Sequence, residues 1–229
     1  KCSNEEAWLF QKLVRTGFGS NHVDHCTRLC HASSVAALME CIGSGSVTAS
    51  FMQASQADVV ILTGCNPAVN HPVAATFFKQ AAKRGTKIVI IDPRGQSLDA
   101  YAHLSVRFSP GADVALFNAM LNVVISEELY DTAYIAEHTE GFEALKIHTV
   151  DMTPEAMSGL CGVEPETIRE VARLYANAER AMIFWGMGIS QHTHGTDNAR
   201  CLISLALACG QTGRPGTGLH PLRGQNNVQ

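Results

Sequence analysis

Charge is scarce in this chain: only 17% of its 229 residues are Asp, Glu, Lys or Arg. Seventeen basic against 21 acidic side chains leave a net charge of −4, so nothing recommends nucleic acid or an anionic membrane surface as a partner. Long apolar runs are missing as well, and no membrane segment is expected, because a bilayer-spanning helix needs roughly 18–20 such residues. The opening KCSNEEAWLFQ is mixed and charged, unlike a signal peptide. Paired cysteine spacing is lacking too. The eight cysteines, at 2, 26, 30, 41, 65, 161, 201 and 209, are too few for a disulfide scaffold and sit mostly in apolar company. That predicts reduced thiols and a cytoplasmic compartment. Repeats, low-complexity tracts and clear linkers are absent. With 46% hydrophobic residues the chain can bury one sizeable core, so residues 1–229 are read as a single domain. Its abrupt start and finish predict a fragment of a larger multidomain subunit.

What is present is an alternation of buried strands and amphipathic helices. Ser3 and Glu6 make a capping box for a helix over 4–16, with Phe10, Leu13 and Val14 at helical spacing. Residues 35–42 and 47–55 are expected to be helical around the turn GSGS. DVVILTG (58–64) and KIVIID (87–92) are continuous β-branched runs of the kind covered on both faces. HLSVRF (103–108) and AMIFWG (181–186) complete four expected strands. Helices are predicted at 72–84, after a cap at Asp113, at 130–137, 153–160, 165–178 and 196–209. This order predicts an α/β fold with a doubly wound, mostly parallel, Rossmann-like sheet and flanking helices.

In such a sheet ligands bind beyond the carboxyl ends of the strands. Here those ends read GCNPAVNHP (64–72), DPRG (92–95), SPGAD (109–113) and WGMGISQHTHG (185–195). Each combines glycine or proline with a few polar side chains, which suits close backbone approach to a polar ligand. No G-x-G-x-x-G opens the first helix, so a dinucleotide bound in the ordinary Rossmann manner is not expected.

A second feature is VDHCTRLCHASS (23–34), with two cysteines four apart and a histidine after the second. A zinc clip, a redox pair, a nucleophile, an inert buried thiol and the thiolate ligand of a larger cofactor all remain open on spacing alone. A helix beginning just after Cys30 would lower its thiol pKa through the helix dipole. RGQNNVQ (223–229) adds a guanidinium, suited to a carboxylate or phosphate, among uncharged hydrogen-bonding groups.

Taken together, SNEEAWLFQKLVRTGFGSNHVDHCTRLCHASSVAAL, NPAVNHPVA, WGMGISQ and GLHPLRGQNNVQ resemble the central part of the catalytic subunits of molybdenum- or tungsten-dependent formate dehydrogenases, within the molybdopterin oxidoreductase family. The resemblance covers essentially the whole chain. A cysteine or selenocysteine followed by histidine separates these enzymes from relatives such as nitrate reductases. The wording is most similar to soluble, cysteine-containing enzymes that pass electrons towards NAD.

The resemblance implies two-electron interconversion of formate and CO2 at a Mo or W bis(molybdopterin guanine dinucleotide) centre. Cys30 would be the metal ligand, His31 would orient formate and relay its proton, and Arg223 would hold the carboxylate. Gly64, Asn66, Asn70, Asp92, Arg94, Gly111, Asp113, Met187, Gly188, Gln191, Gly224 and Gln225 would hold the cofactor. A [4Fe-4S] cluster is expected in an N-terminal domain outside this chain. The remaining domains of the same subunit and iron–sulfur and flavin electron-transfer subunits are the expected partners. The rival reading is a non-catalytic structural subunit of a respiratory complex built on the same fold.

Overall fold

A computed structural model describes residues 3–24 and 26–224, with only the backbone of Thr27 and Arg28. Five strands form one parallel sheet: β1 (Val59–Thr63), β2 (Lys87–Ile91), β3 (Leu104–Val106), β4 (Ala181–Trp185) and β5 (Gly218–Pro221). Their order is β3-β2-β1-β4-β5. The chain lays β2 and β3 on one side of β1, then returns to lay β4 and β5 on the other. Two helical layers make this possible, because parallel neighbours need long crossovers that cover both faces.

The α-helices are α1 (Asn4–Gly17), α2 (Thr27–Cys30), α3 (Ala32–Ile42), α4 (Pro67–Asn70), α5 (Pro72–Lys83), α6 (Asp113–Ser126), α7 (Thr132–His138), α8 (Phe142–Thr149), α9 (Pro154–Cys161), α10 (Pro165–Ala176), α11 (Met187–Ser190) and α12 (Gly195–Ala208). Side chains alternate across the sheet. Val59, Ile61, Val89, Ile91, Ile183 and Trp185 face the larger core under α3, α6, α10 and α12. Val60, Leu62, Ile88, Ile90, Met182 and Phe184 face the smaller one, built with Phe78 of α5 and Leu98. Ile61 and Leu62 are fully buried back to back, and truncating either to alanine costs about 2–5 kcal/mol. Ser3 accepts the Glu6 amide and Glu6 accepts the Ser3 amide at 2.7 Å, the expected capping box of α1. No residue of α1 is buried.

The parallel, doubly wound sheet is as the sequence predicts, but four local differences stand beside it. β5 is not among the expected strands, because its four residues, Gly218–Pro221, carry too little pattern. Residues 47–55 are not one helix, and only Phe51–Ser55 forms a short 3-10 turn. The reason is β5, since Thr48 is bonded to Leu219 through both its amide and its hydroxyl, and Ala49 O accepts from His220 Nδ1. Asp113 is not the cap of α6 but its first residue, buried, with Ala112 at the cap position. The helix α8 was also missed. Among the described residues, no helix is long and apolar enough to cross a membrane.

Candidate active site at the carboxyl edge of the sheet

The strand order reverses between β1 and β4, and there the loops leaving the two strands cross in backbone contact. Gly64 has φ +56°, and a Cβ on it would lie 2.8 Å from the Gly188 carbonyl carbon and the Ile189 nitrogen. A Cβ on Gly188 would lie 2.7 Å from Gly64 Cα, and one on Gly186 2.7 Å from Gly64 O. The contact is fastened by Gly188 N–H donating to Gly64 O at 2.9 Å and Gly186 N–H to Thr63 O at 3.2 Å. Only residues without a side chain fit at such a crossing.

The crossing forms the floor of a cleft of about 360 Å³. Gly64, Asn66 and Asn70 line it from the β1 loop, Asp92 and Arg94 from the β2 loop, Gly111 and Asp113 from the β3 loop, and Met187 and Gly188 from the β4 loop. Nine of the residues predicted to hold a cofactor are thus brought together. Cys65, His71, Phe108, His192 and Leu222 also line the cleft and were not singled out, although His71 and His192 stand inside the strand-end segments read above. Gly111 has φ +86° with open space where a Cβ would be.

The polar atoms on this edge are incompletely used. Asn66 Oδ1, His71 Nδ1 and Asp113 Oδ2 are buried with no protein partner. Burial pushes the Asp113 carboxyl pKa up, against the opposing influence of His192. Buried polar atoms are ordinarily paired, so three unpaired ones around a single cleft match a ligand with its own hydrogen-bonding groups. Asp92, by contrast, closes its own turn, accepting the Arg94 amide at 2.8 Å, while the Arg94 side chain is exposed.

Beside the cleft stand Cys30, His31 and Arg223. Cys30 closes α2, with its amide on Cys26 O at 2.9 Å, and His31 is the hinge to α3. His31 is buried, with Nδ1 3.0 Å from Ser190 Oγ and Nε2 3.2 Å from Leu222 O. His71 Nε2 donates to Arg223 O at 2.8 Å, so cleft-lining His71 and Leu222 tie the two places together. Arg223 is 6% exposed and donates from Nη2 to Gly45 O at 2.5 Å. Burial draws its pKa down, and Cys30 draws it back up.

Two electrostatic expectations change. The Cys30 thiol pKa is raised by burial and then by Cys26, with Arg223 opposing, and Cys30 itself is the last residue of α2. His31 does not keep an ordinary imidazole pKa. Burial first, and then the Arg223 charge, push it down to about 4, so it is neutral at neutral pH. Gln191 stands apart from the cleft lining, its Nε2 donating to Leu29 O at 2.7 Å beside Cys30. Gly224 is exposed next to Arg223. Gln225 lies outside the described residues.

Comparison with known proteins follows the same lines. The molybdopterin oxidoreductase family profile matches residues 1–228. The chain is 43% identical over its full length to the F420-dependent formate dehydrogenase subunit alpha of Methanocaldococcus jannaschii, covering 34% of that protein. It is 40% identical over 99% of its length to formate dehydrogenase H of Escherichia coli, covering 32% of it. The chain therefore spans about a third of the length of these curated relatives. The solved structure of acetylene hydratase from Pelobacter acetylenicus superposes with a TM-score of 0.73 at 25% identity, over 81% of this chain and 25% of that one. On the profile match and the full-length identity to these relatives, the chain belongs to the molybdopterin oxidoreductase family.

Proposed function

We propose that this chain is the cofactor- and formate-binding α/β domain of a formate dehydrogenase, working on HCOO⁻ ⇌ CO2 + H⁺ + 2e⁻ in either direction. The observation that carries the proposal is the convergence of a thiol, a neutral histidine and a buried guanidinium beside a cleft with unpaired polar atoms at the strand-order reversal. The names of relatives about 40% identical support the choice of formate. The domain assignment to residues 1–229 within a longer subunit is part of the same proposal.

The residues fit a molybdopterin-type group. The unpaired Asn66, His71 and Asp113 atoms suit its heteroatoms, and Gly64, Gly111 and Gly188 allow the backbone to come close to it. Two guanine dinucleotide forms of the pterin, with Cys30 as the protein ligand to Mo or W, complete the proposed centre. Bound there, the group supplies the two-electron redox chemistry that no amino-acid side chain offers.

The chain's own residues do the rest. Arg223, desolvated, offers formate a planar pair of N–H donors, and charge-assisted hydrogen bonds strengthen where water is excluded. His31 is held in the uncharged form, whose Nδ1 lone pair is able to take up the proton released with CO2 when the Ser190 hydroxyl turns away from it. A site that disfavours imidazolium also passes that proton on instead of keeping it. Asn66, Asn70, Asp92, Arg94, Asp113 and Met187, with Gln191 and Gly224 at the margins, are proposed to hold the pterin and nucleotide parts, and Gln225, outside the described residues, is proposed with them. Electrons are proposed to leave through a [4Fe-4S] cluster and iron–sulfur and flavin partners to NAD. Because the name of one relative is F420-dependent, the electron acceptor is to be assayed first.

The test is metal analysis of the full-length protein beside a Cys30→Ala variant, with formate-dependent dye reduction as the activity. Loss of metal and activity with the fold retained is the expected result. Unchanged metal content and rate would reject Cys30 as ligand, and a full-length parent with neither metal nor formate-dependent activity would return the structural-subunit reading.

A further inference from the structure

His31 stands at one end of a buried hydrogen-bond chain whose members lie far apart in sequence. Trp185 Nε1–H donates to Ser34 Oγ at 2.8 Å. Ser34 Oγ and Ser190 Oγ are 2.6 Å apart, Ser190 Oγ and His31 Nδ1 3.0 Å, and His31 Nε2 and Leu222 O 3.2 Å. All four side chains are at most 5% exposed, so water does not substitute for a missing partner.

The two ends fix the direction of every bond between them. An indole N–H only donates and a carbonyl only accepts. His31 must therefore carry its proton on Nε2 to reach Leu222 O, which in the neutral ring leaves Nδ1 as acceptor. Ser190 Oγ–H then donates to Nδ1, and Ser34 Oγ–H donates to Ser190. Each hydroxyl in this sequence gives once and receives once. The reverse tautomer would set a lone pair of Nε2 against the lone pairs of Leu222 O and turn Ser190 round to donate to Ser34, whose own hydroxyl would then lose its acceptor in the chain.

Ser190 is itself held from several sides. Ser33 Oγ–H donates to its carbonyl at 2.6 Å, and Asn198 Nδ2 donates to Ile189 O at 3.0 Å. Gly195 leaves it room, since a Cβ there would lie 2.1 Å from Ser190 O. The hydroxyl thus has a fixed origin, set by the β4 loop that also floors the cleft.

We propose that Ser190, backed by Ser34 and Trp185, is a positioning residue that fixes the tautomer and ring plane of His31 by donating to its Nδ1. The proposal rests on the formate dehydrogenase reading only for its consequence in turnover; the tautomer itself is a property of the fold. One hydroxyl on the loop after β4 thereby orients the imidazole next to Cys30, and the Nε2–H is aimed at the backbone between the cleft and Arg223. A histidine so held loses little orientational freedom when the substrate arrives.

The experiment uses the full-length protein labelled with 15N at histidine, the His31 signals being those absent from His31→Gln. The expected spectrum at neutral pH shows a protonated Nε2 and an unprotonated, hydrogen-bonded Nδ1. In Ser190→Ala the Nδ1 signal is expected to move towards the position of an unbonded nitrogen, and in Ser190→Thr, which keeps a hydroxyl, to return. A protonated Nδ1 in the parent, or no movement in Ser190→Ala, would overturn the proposal. In the metal-loaded enzyme Ser190→Ala should lower kcat about tenfold with KM little changed, and Ser190→Thr should restore most of it. An unaltered kcat in Ser190→Ala would overturn the positioning role. If the parent itself fails to oxidise formate while the spectra behave as described, the functional reading fails and the tautomer assignment stands.

Discussion

The two edges of the sheet are built from the same five strands, and they treat their polar groups in opposite ways. At the amino edge Asp58 takes the Arg180 amide at 3.1 Å and its guanidinium at 3.1 Å. Lys87 N–H donates to Asp58 O, and Thr86 Oγ1–H to Ala57 O. Gln211 accepts the Ala181 amide and donates to Ala178 O, both at 2.8 Å. A hollow of about 840 Å³ lies there, wider than the cleft at the carboxyl edge, yet its walls are occupied with one another. At the carboxyl edge Thr63, Asn66, His71, Gln96 and Asp113 each keep a buried atom unpaired. The larger depression is therefore the poorer candidate for a ligand. Unfulfilled hydrogen-bonding capacity separates the edges where size misleads, because an unpaired buried polar group costs stability that folding alone does not return.

The difference can be tested by mutation, starting with the largest expected effect. Gly188→Ala drives a Cβ to 2.7 Å from Gly64 Cα and O, backbone that has no room to retreat, and should cost at least about 3 kcal/mol. Gly85, beside the amino edge, has φ +107° but open space around it, so Gly85→Ala should cost only about 1–2 kcal/mol of backbone strain. Urea denaturation of both variants checks this, and equal losses would mean that the crossing is not tight.

Acid comes next. His31 has a folded pKa of about 4 against 6.5 in the unfolded chain, and burial also lowers that of His220. The unfolded state thus binds protons first as pH falls. Stability should be whole above pH 6.5 and decline between 6.5 and 4, with about 3 kcal/mol of the loss due to His31. A stability profile of His31→Gln that keeps the full slope would contradict this. Asp58→Asn should cost about 1 kcal/mol or less by thermal melt, since both partners of its ion pair are about 40% exposed.

Much of this architecture is legible in the residues themselves. Within the runs at 58–64 and 87–92, Val59–Thr63 and residues 88–91 are buried on both faces, as interior parallel strands are. β5 escapes because its four residues are specified by Thr48 and Ala49, about 170 positions away. Strand-end glycines and polar residues could be read from their position after each strand, and nine of those predicted line one cleft. What cannot be read is pairing at long range. Ser34 and Ser190 are 156 residues apart, and neither has a spacing that marks it. The pKa of His31 likewise depends on burial and on Arg223, 192 positions away along the chain, so its ordinary value was the wrong starting point. The Cys30 expectation fails because burial, and after it the neighbouring Cys26, raise the thiol pKa, and burial at this position is set by the fold and not by local spacing.

Asp113 offers the smallest effect and the sharpest distinction between the edges. Its carboxylate is buried at the first position of α6, with Oδ2 unpaired and a pKa raised by that burial. A raised carboxyl pKa means that the folded state disfavours the charge, so the penalty is present once the unfolded carboxyl ionises and vanishes in acid. Asp113→Asn removes the charge while keeping the shape. It should therefore gain about 1 kcal/mol or less at neutral pH, and nothing at a pH below the ordinary carboxylate range. The same variant of the full-length protein should retain less cofactor, because an acceptor is replaced where a donor on the ligand is expected. Asp58→Asn shows the opposite sign at neutral pH. If Asp113→Asn were instead destabilising at neutral pH with cofactor content unchanged, its carboxylate would be serving the fold as Asp58 does, and the contrast between the two edges would be lost at its central residue.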